Sequence, residues 1–179
     1  MSLEPDRDRM SDLVSLTYIE ELTPNLERFA DALMAGRLVG EQCPTCRRIY
    51  LPGKGYCPMD VTLTTEADVV EIKDTGFVSG YTIITPVQYY GQQETEPFVL
   101  ASIALDGADN SIVQQRIIGI SHDAVHNGLR VQARWRPRHD RNVDGLSNRG
   151  GTGLDGVIFG FQPTGEPDEP AAKCRERIF

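Results

Sequence analysis

The chain has 179 residues, 40% of them hydrophobic, which suits one ordinary domain or a small domain with an appendage, built around a single apolar core. No apolar run approaches the ~18 residues of a membrane span, and the first ten residues are charged rather than a signal sequence, so a cytoplasmic protein without membrane contact is expected. A formal net charge of -8 and a pI near 4.9 weigh against a general binder of polyanions.

Residues 1–21 read as a flexible N-terminal segment: the first dozen carry charge without apolar periodicity, and Val14 to Ile19 form a stretch able to dock on the body or on a partner. A helix follows within residues 22–36. Thr23 stands as N-cap, Pro24 occupies the first helical position, Leu26, Phe29, Ala30 and Leu33 recur at helical spacing, and Gly36 is a stop.

Residues 37–65 carry the strongest chemical signal. Cys43-Pro-Thr-Cys46 and Cys57-Pro-Met-Asp60 have the spacing of a two-knuckle zinc ribbon in which the fourth ligand is Asp instead of Cys. A carboxylate oxygen binds zinc at roughly 2.0–2.2 Å, so Cys43, Cys46, Cys57 and Asp60 form a plausible structural site for one Zn2+ per chain. Two alternatives stand beside it: a knuckle that has lost its metal and is held by packing, and Cys174 folding back to complete the site, which its charged surroundings disfavour. Catalysis by this metal is not expected. Neither knuckle carries a His or Glu of its own to act as general base, and Arg47, Arg48 and Lys54 read as solvated positions.

Residues 66–163 change in texture. Segments 69–72, 76–84, 98–105, 111–120, 129–136 and 156–161 are rich in Val, Ile, Tyr and Phe and are punctuated by Gly, Asp and Pro. Short strands at turn-separated intervals, with one helical turn near 121–127, predict a mostly β protein whose larger part is a five-stranded OB-fold barrel. Two connections, 86–97 and 137–155, are longer than such a barrel requires. Residues 164–179 read as a C-terminal tail, mobile or ordered by a partner.

Six arginines lie between Arg130 and Arg149, opposed by Asp140 and Asp144. Strand alternation places Arg130, Arg134 and Arg136 on a solvent face opposite Val131, Ala133 and Trp135, which leaves Arg138, Arg141 and Arg149 as the candidates for phosphate contact. No residues are assigned as catalytic. His122 and His126 are four apart with no acidic partner evident, His139 sits among arginines, Gly150-Gly-Thr-Gly153 lacks the Lys of a phosphate-binding loop, and Cys174 is a lone thiol. Tyr81, Tyr89 and Tyr90 could stack on bases, so a single-stranded nucleic-acid-binding protein is the alternative reading, although the acidic charge argues against it.

Helix, ribbon and barrel, in this order, resemble the thiolase-associated zinc-ribbon and OB-fold family, catalogued as domain of unknown function 35. The residues that carry the resemblance are Leu38-Val-Gly-Glu-Gln-Cys43-Pro-Thr-Cys46, Tyr50-Leu-Pro52, Cys57-Pro58, Thr75-Gly-Phe-Val78, Tyr81-Thr82 and Gly128-Leu-Arg-Val131, with the barrel closing over Phe159 to Pro163. The resemblance implies a non-catalytic accessory subunit of a thiolase-type acyl-CoA acyltransferase, in a heterotetramer with a thiolase-like catalytic subunit that owns the active-site residues. It also implies a shared coenzyme A ligand and a role at the pantetheine channel, in a pathway degrading aromatic or steroid acyl-CoA. The phosphates of coenzyme A match the forks of Arg138, Arg141 and Arg149.

Overall fold

The computed structural model describes residues 19, 21–86, 94–146 and 154–177. Helix α1 spans Pro24–Ala35, with Thr23 extended before it and Thr23 Oγ1 accepting from the Leu26 N–H at 3.4 Å. Leu26, Phe29, Ala30, Ala32 and Leu33 are buried along one face. The helix ends at Gly36, whose φ of 84° is left-handed and whose N–H returns to Leu33 O at 2.9 Å.

Strands β1 (Leu38–Gln42), β2 (Ile49–Tyr50) and β3 (Val69–Ile72) form a small antiparallel sheet in the order β2-β1-β3. Glu41 pairs with Tyr50, and Leu38 pairs with Ile72. The sequence groups Val69–Ile72 with the barrel strands, but its edge is joined to β1 instead. Its composition shows that it is a strand and is silent about which neighbour it pairs with.

The remaining strands are β4 (Thr75–Ile84), β5 (Phe98–Leu105), β6 (Ser111–Ile117), β7 (Arg130–Trp135) and β8 (Ile158–Pro163). They close into a barrel in the order β4-β5-β6-β8-β7. The closure is the parallel contact between β6 and β8 at Ile117 and Phe161, reinforced by Ile118 N–H to Phe161 O at 2.8 Å. Alternating residues point inward: Val78, Ile103, Leu105, Ile112, Val131 and Phe161 are all fully buried. The architecture is that of the expected N-terminal helix, ribbon and five-stranded OB-fold, with the expected single turn of helix reduced to a 3-10 turn at His122–Ala124.

The ribbon sits on the barrel through the turn between β5 and β6. Asp109 Oδ2 accepts the Ile49 N–H at 2.8 Å, while the Asn110 side chain accepts from Leu51 N–H at 2.9 Å and donates to Leu51 O at 2.6 Å. These two residues add polar ties to an apolar contact in which Leu38, Leu51 and Ile72 of the ribbon share one buried cluster with barrel residues such as Val78 and Val131.

The described part of the C-terminal tail is docked on the barrel. Helix α2 (Ala171–Glu176) buries Cys174 against Phe77 and Ala104, the Glu169 N–H binds Gly128 O at 2.8 Å, and Arg177 donates to Ala108 O. Short polar and Pro-rich sequence gave no periodic signal of this docking, because one buried thiol, backbone bonds and side-chain contacts to residues far away in sequence carry it. No helix among the described residues is long and apolar enough to cross a membrane.

Candidate metal centre

The two knuckles have matching backbones. Cys43 N–H binds Arg48 O and Cys57 N–H binds Thr62 O, each at 2.8 Å. Arg47 N–H returns to Cys43 O at 3.0 Å, and Val61 N–H to Cys57 O at 2.9 Å. Arg47 and Val61 both adopt left-handed backbone, with φ of 63° and 61°. Holding a non-glycine residue there costs about 1–2 kcal/mol, and the β-branched Val61 is the costlier of the two, so both turns must be held by their surroundings. By this equivalence Asp60 occupies in the second knuckle the place that Cys46 occupies in the first.

Side chains converge accordingly. Cys46 Sγ lies 3.6 Å from Cys57 Sγ, and Cys43 Sγ lies 3.5 Å from Asp60 Oδ2. The four ligand atoms all fall within 4.8 Å of one another. Ligands about 2.3 Å from a tetrahedral zinc stand roughly 3.8 Å apart, so the donor set fits that ion in both chemistry and spacing. Cys43 and Cys57 are buried, while Cys46 and Asp60 face solvent.

Backbone dipoles point at these atoms. Burial opposes ionisation of Cys43, yet N–H groups of Cys46 and Thr45, each 3.4 Å from its sulfur, bring its pKa below the usual thiol value. Cys46 benefits from the Arg48 N–H, but loss of solvent and the sulfurs of Cys57 and Cys43 carry it up to about 11. The Thr62 N–H, 3.0 Å from Asp60 Oδ1, holds the Asp60 carboxyl down at about 2.

Cys174 is remote from this cluster, with its sulfur directed to Glu169 O at 3.5 Å. Burial raises its pKa.

The arginines are dispersed. Arg130 is not on a free solvent face: its guanidinium grips Asp106 at 2.6 and 2.9 Å, with Glu166 and Glu169 beside it. Arg141 donates to Met34 O at 3.0 Å and Arg136 O at 2.9 Å and lies over the Trp135 ring, so it closes the negative end of α1. Arg138 is exposed on the 3-10 turn Arg138–Asp140, and Arg149 lies outside the described residues.

His126 has an acid that local sequence does not reveal, Asp168 at 2.9 Å. The Ala124 carbonyl and that carboxylate raise its pKa. His122 and His139 stand beside Asp123 and Asp140. Tyr81 is exposed on β4, while Tyr89, Tyr90 and Gly150 to Gly153 lie outside the described residues.

Two family models match in tandem. The one described as ChsH2, rubredoxin-like zinc ribbon domain, covers residues 30–60, and the one described as ChsH2, C-terminal OB-fold domain, covers residues 69–136. Together they span more than half of the chain. This chain belongs to the DUF35 zinc-ribbon and OB-fold family.

Among DUF35 proteins, a DUF35 domain-containing scaffold protein of Methanocaldococcus jannaschii is 24% identical over 115 residues, covering 63% of this chain and 77% of that protein. The crystal structure of a DUF35 protein of unknown function from Sulfolobus solfataricus superposes with a TM-score of 0.51 at 26% identity, covering 62% of this chain and 77% of that one. A chain of the Ltp2-ChsH2(DUF35) aldolase superposes with a TM-score of 0.55 at 20% identity, covering 81% of this chain and 98% of that one.

Proposed function

We propose that this DUF35 protein is a non-catalytic accessory subunit of a thiolase-type acyl-CoA enzyme, clasped by one structural zinc at Cys43, Cys46, Cys57 and Asp60. The observation that carries the assembly reading is the tandem match: ribbon and barrel occur in the order found in the DUF35 family, which includes a scaffold protein and a chain of an aldolase named for two components. Zinc is supported by the equivalence of the two knuckles and the convergence of their four donors. The ion would supply a fixed cationic node that ties the knuckles together, and the four residues would hold it.

The partner would own the reacting groups, while this chain buttresses it and borders the coenzyme A channel, in a heterotetramer acting in the cytoplasm on an aromatic or steroid acyl-CoA. A groove of about 540 Å³ where the ribbon meets the barrel, bordered by Arg48, Met59, Ser79, Ser111 and Arg177, is a suitable surface for that border. Arg138 is the exposed arginine available for a phosphate at another place, whereas Arg141 is already engaged by Met34 O and Arg136 O.

Purification from the native host tests the assembly. A stoichiometric thiolase-like protein should accompany this chain, and recovery of the chain alone would defeat the reading. Elemental analysis should give one zinc per chain, with occupancy lowered in Asp60→Ala. Full zinc in that variant would remove Asp60 from the ligand set.

A further inference from the structure

We infer that Glu41 is the positioning residue of the metal site: it braces the base of the second knuckle against the strand that enters the first, and so sets the affinity for the ion. This rests on the zinc reading above. Glu41 lies on β1, two residues before Cys43, and is only 6% exposed. A buried carboxylate requires donors, and those of Glu41 come from both stems of the other knuckle. Gly55 N–H reaches Oε2 at 3.0 Å from just before Cys57, and Thr64 Oγ1 donates to the same oxygen at 2.5 Å from just after Asp60. Arg28 of α1 stands 3.8 Å from Oε1 and balances the charge.

The backbone is shaped around this carboxylate. A Cβ at Gly53 would collide with the Glu41 side chain, and Gly55 has a φ of 79°, with the Asn25 side chain where a Cβ would lie. A hydroxyl contact between Thr45 and Thr62 at 3.2 Å also joins the two knuckles, but it is exposed. The Glu41 brace is buried and leaves all four ligand atoms untouched. It therefore brings the two ligand pairs into register before any ion arrives, which spares the ion the entropy of closing the 14-residue separation between Glu41 and Gly55.

The test uses the full chain with Zn2+ in competition with a chromophoric chelator, and Co2+ absorption as a report on the ligand set. Glu41→Ala should bind Zn2+ about 10–100-fold more weakly, the range for residues that orient ligands without touching the metal, and should keep the wild-type Co2+ spectrum. Glu41→Gln retains an acceptor oxygen and should recover most of the affinity. Thr64→Val removes one donor and should show a smaller loss, and it decides the matter if Glu41→Ala does not fold. Wild-type Zn2+ affinity in both Glu41→Ala and Thr64→Val would overturn the role of Glu41, as would a changed Co2+ spectrum in folded Glu41→Ala. Failure of the wild-type chain to take up either ion would instead remove the zinc reading, and the role of Glu41 with it.

Discussion

In the barrel, Val78, Ile103, Val131 and Phe161 are fully enclosed, whereas on the second arm of the ribbon Tyr56, Met59, Val61 and Leu63 are 45–75% exposed. Both regions are built of short strands, mostly antiparallel, the parallel β6–β8 contact that closes the barrel being the exception. The barrel has no free edge in its ladder and turns every second side chain inward, so burial alone can hold it. The ribbon buries Leu38, Leu51 and Ile72 in the core, but its second arm turns Tyr56, Met59, Val61 and Leu63 outward, which leaves the order of that arm to polar contacts such as those of Glu41 and to the four clustered donors. Sheet geometry is shared, and the source of stability is not.

The largest effect should come from removing metal. Structural zinc contributes binding free energy on the order of 10 kcal/mol to small ribbons, so chelation or Cys57→Ser should release hydrogen-exchange protection at 38–42 and 49–50 while barrel amides remain protected. Unchanged protection in the ribbon would mean that packing and the Glu41 brace hold it without an ion.

The converse experiment is Phe161→Ala. It should cost about 3–5 kcal/mol in urea unfolding, because a fully buried ring at the barrel closure leaves a cavity, yet zinc content should stay at the wild-type level. Loss of zinc in that variant would show the two regions to be one cooperative unit.

A smaller effect probes the tail. Asp106 accepts two bonds from Arg130, beside Glu169, and Asp106→Ala should cost about 2 kcal/mol as a lost charged hydrogen-bonding pair. The Arg130 bonds hold the Asp106 carboxyl at about 2, below its ordinary 3.8. Its contribution is therefore fully present above about pH 4 and is lost as pH falls toward about 2. The difference in stability between wild type and Asp106→Asn should shrink across that window, and a pH-independent difference would contradict the assignment. Smallest of all, Thr23→Ala should cost about 1 kcal/mol or less, since the N-cap bond is long at 3.4 Å.

Legibility in the sequence followed the range of the interactions. Helix α1 was readable because Thr23, Pro24 and Gly36 act on their own neighbours, and the observed span Pro24–Ala35 lies between those signals. The cluster of four candidate donors was readable because each pair of them sits on a turn of four residues. Arg141 was misleading. Its loop position suggested a ligand, while its actual partner, Met34 O, is 107 residues away in sequence. Glu41 was illegible for the same reason, since the donors to its carboxylate, Gly55 and Thr64, lie 14 and 23 residues further on, in the connection between β2 and β3.

By itself, then, the order of residues determined the helix and its caps, the two knuckles with their four donors, the short strands that follow them and the family they resemble, all of which depend on spacing or alternation along the chain. Only the tertiary structure decided that Val69–Ile72 joins the ribbon, that the tail docks through Cys174 and Arg177, and that Arg130, Arg141 and Glu41 are structural partners. Those outcomes turn on strand pairing and on charges meeting across long separations, where local periodicity carries no information about which partner will be found.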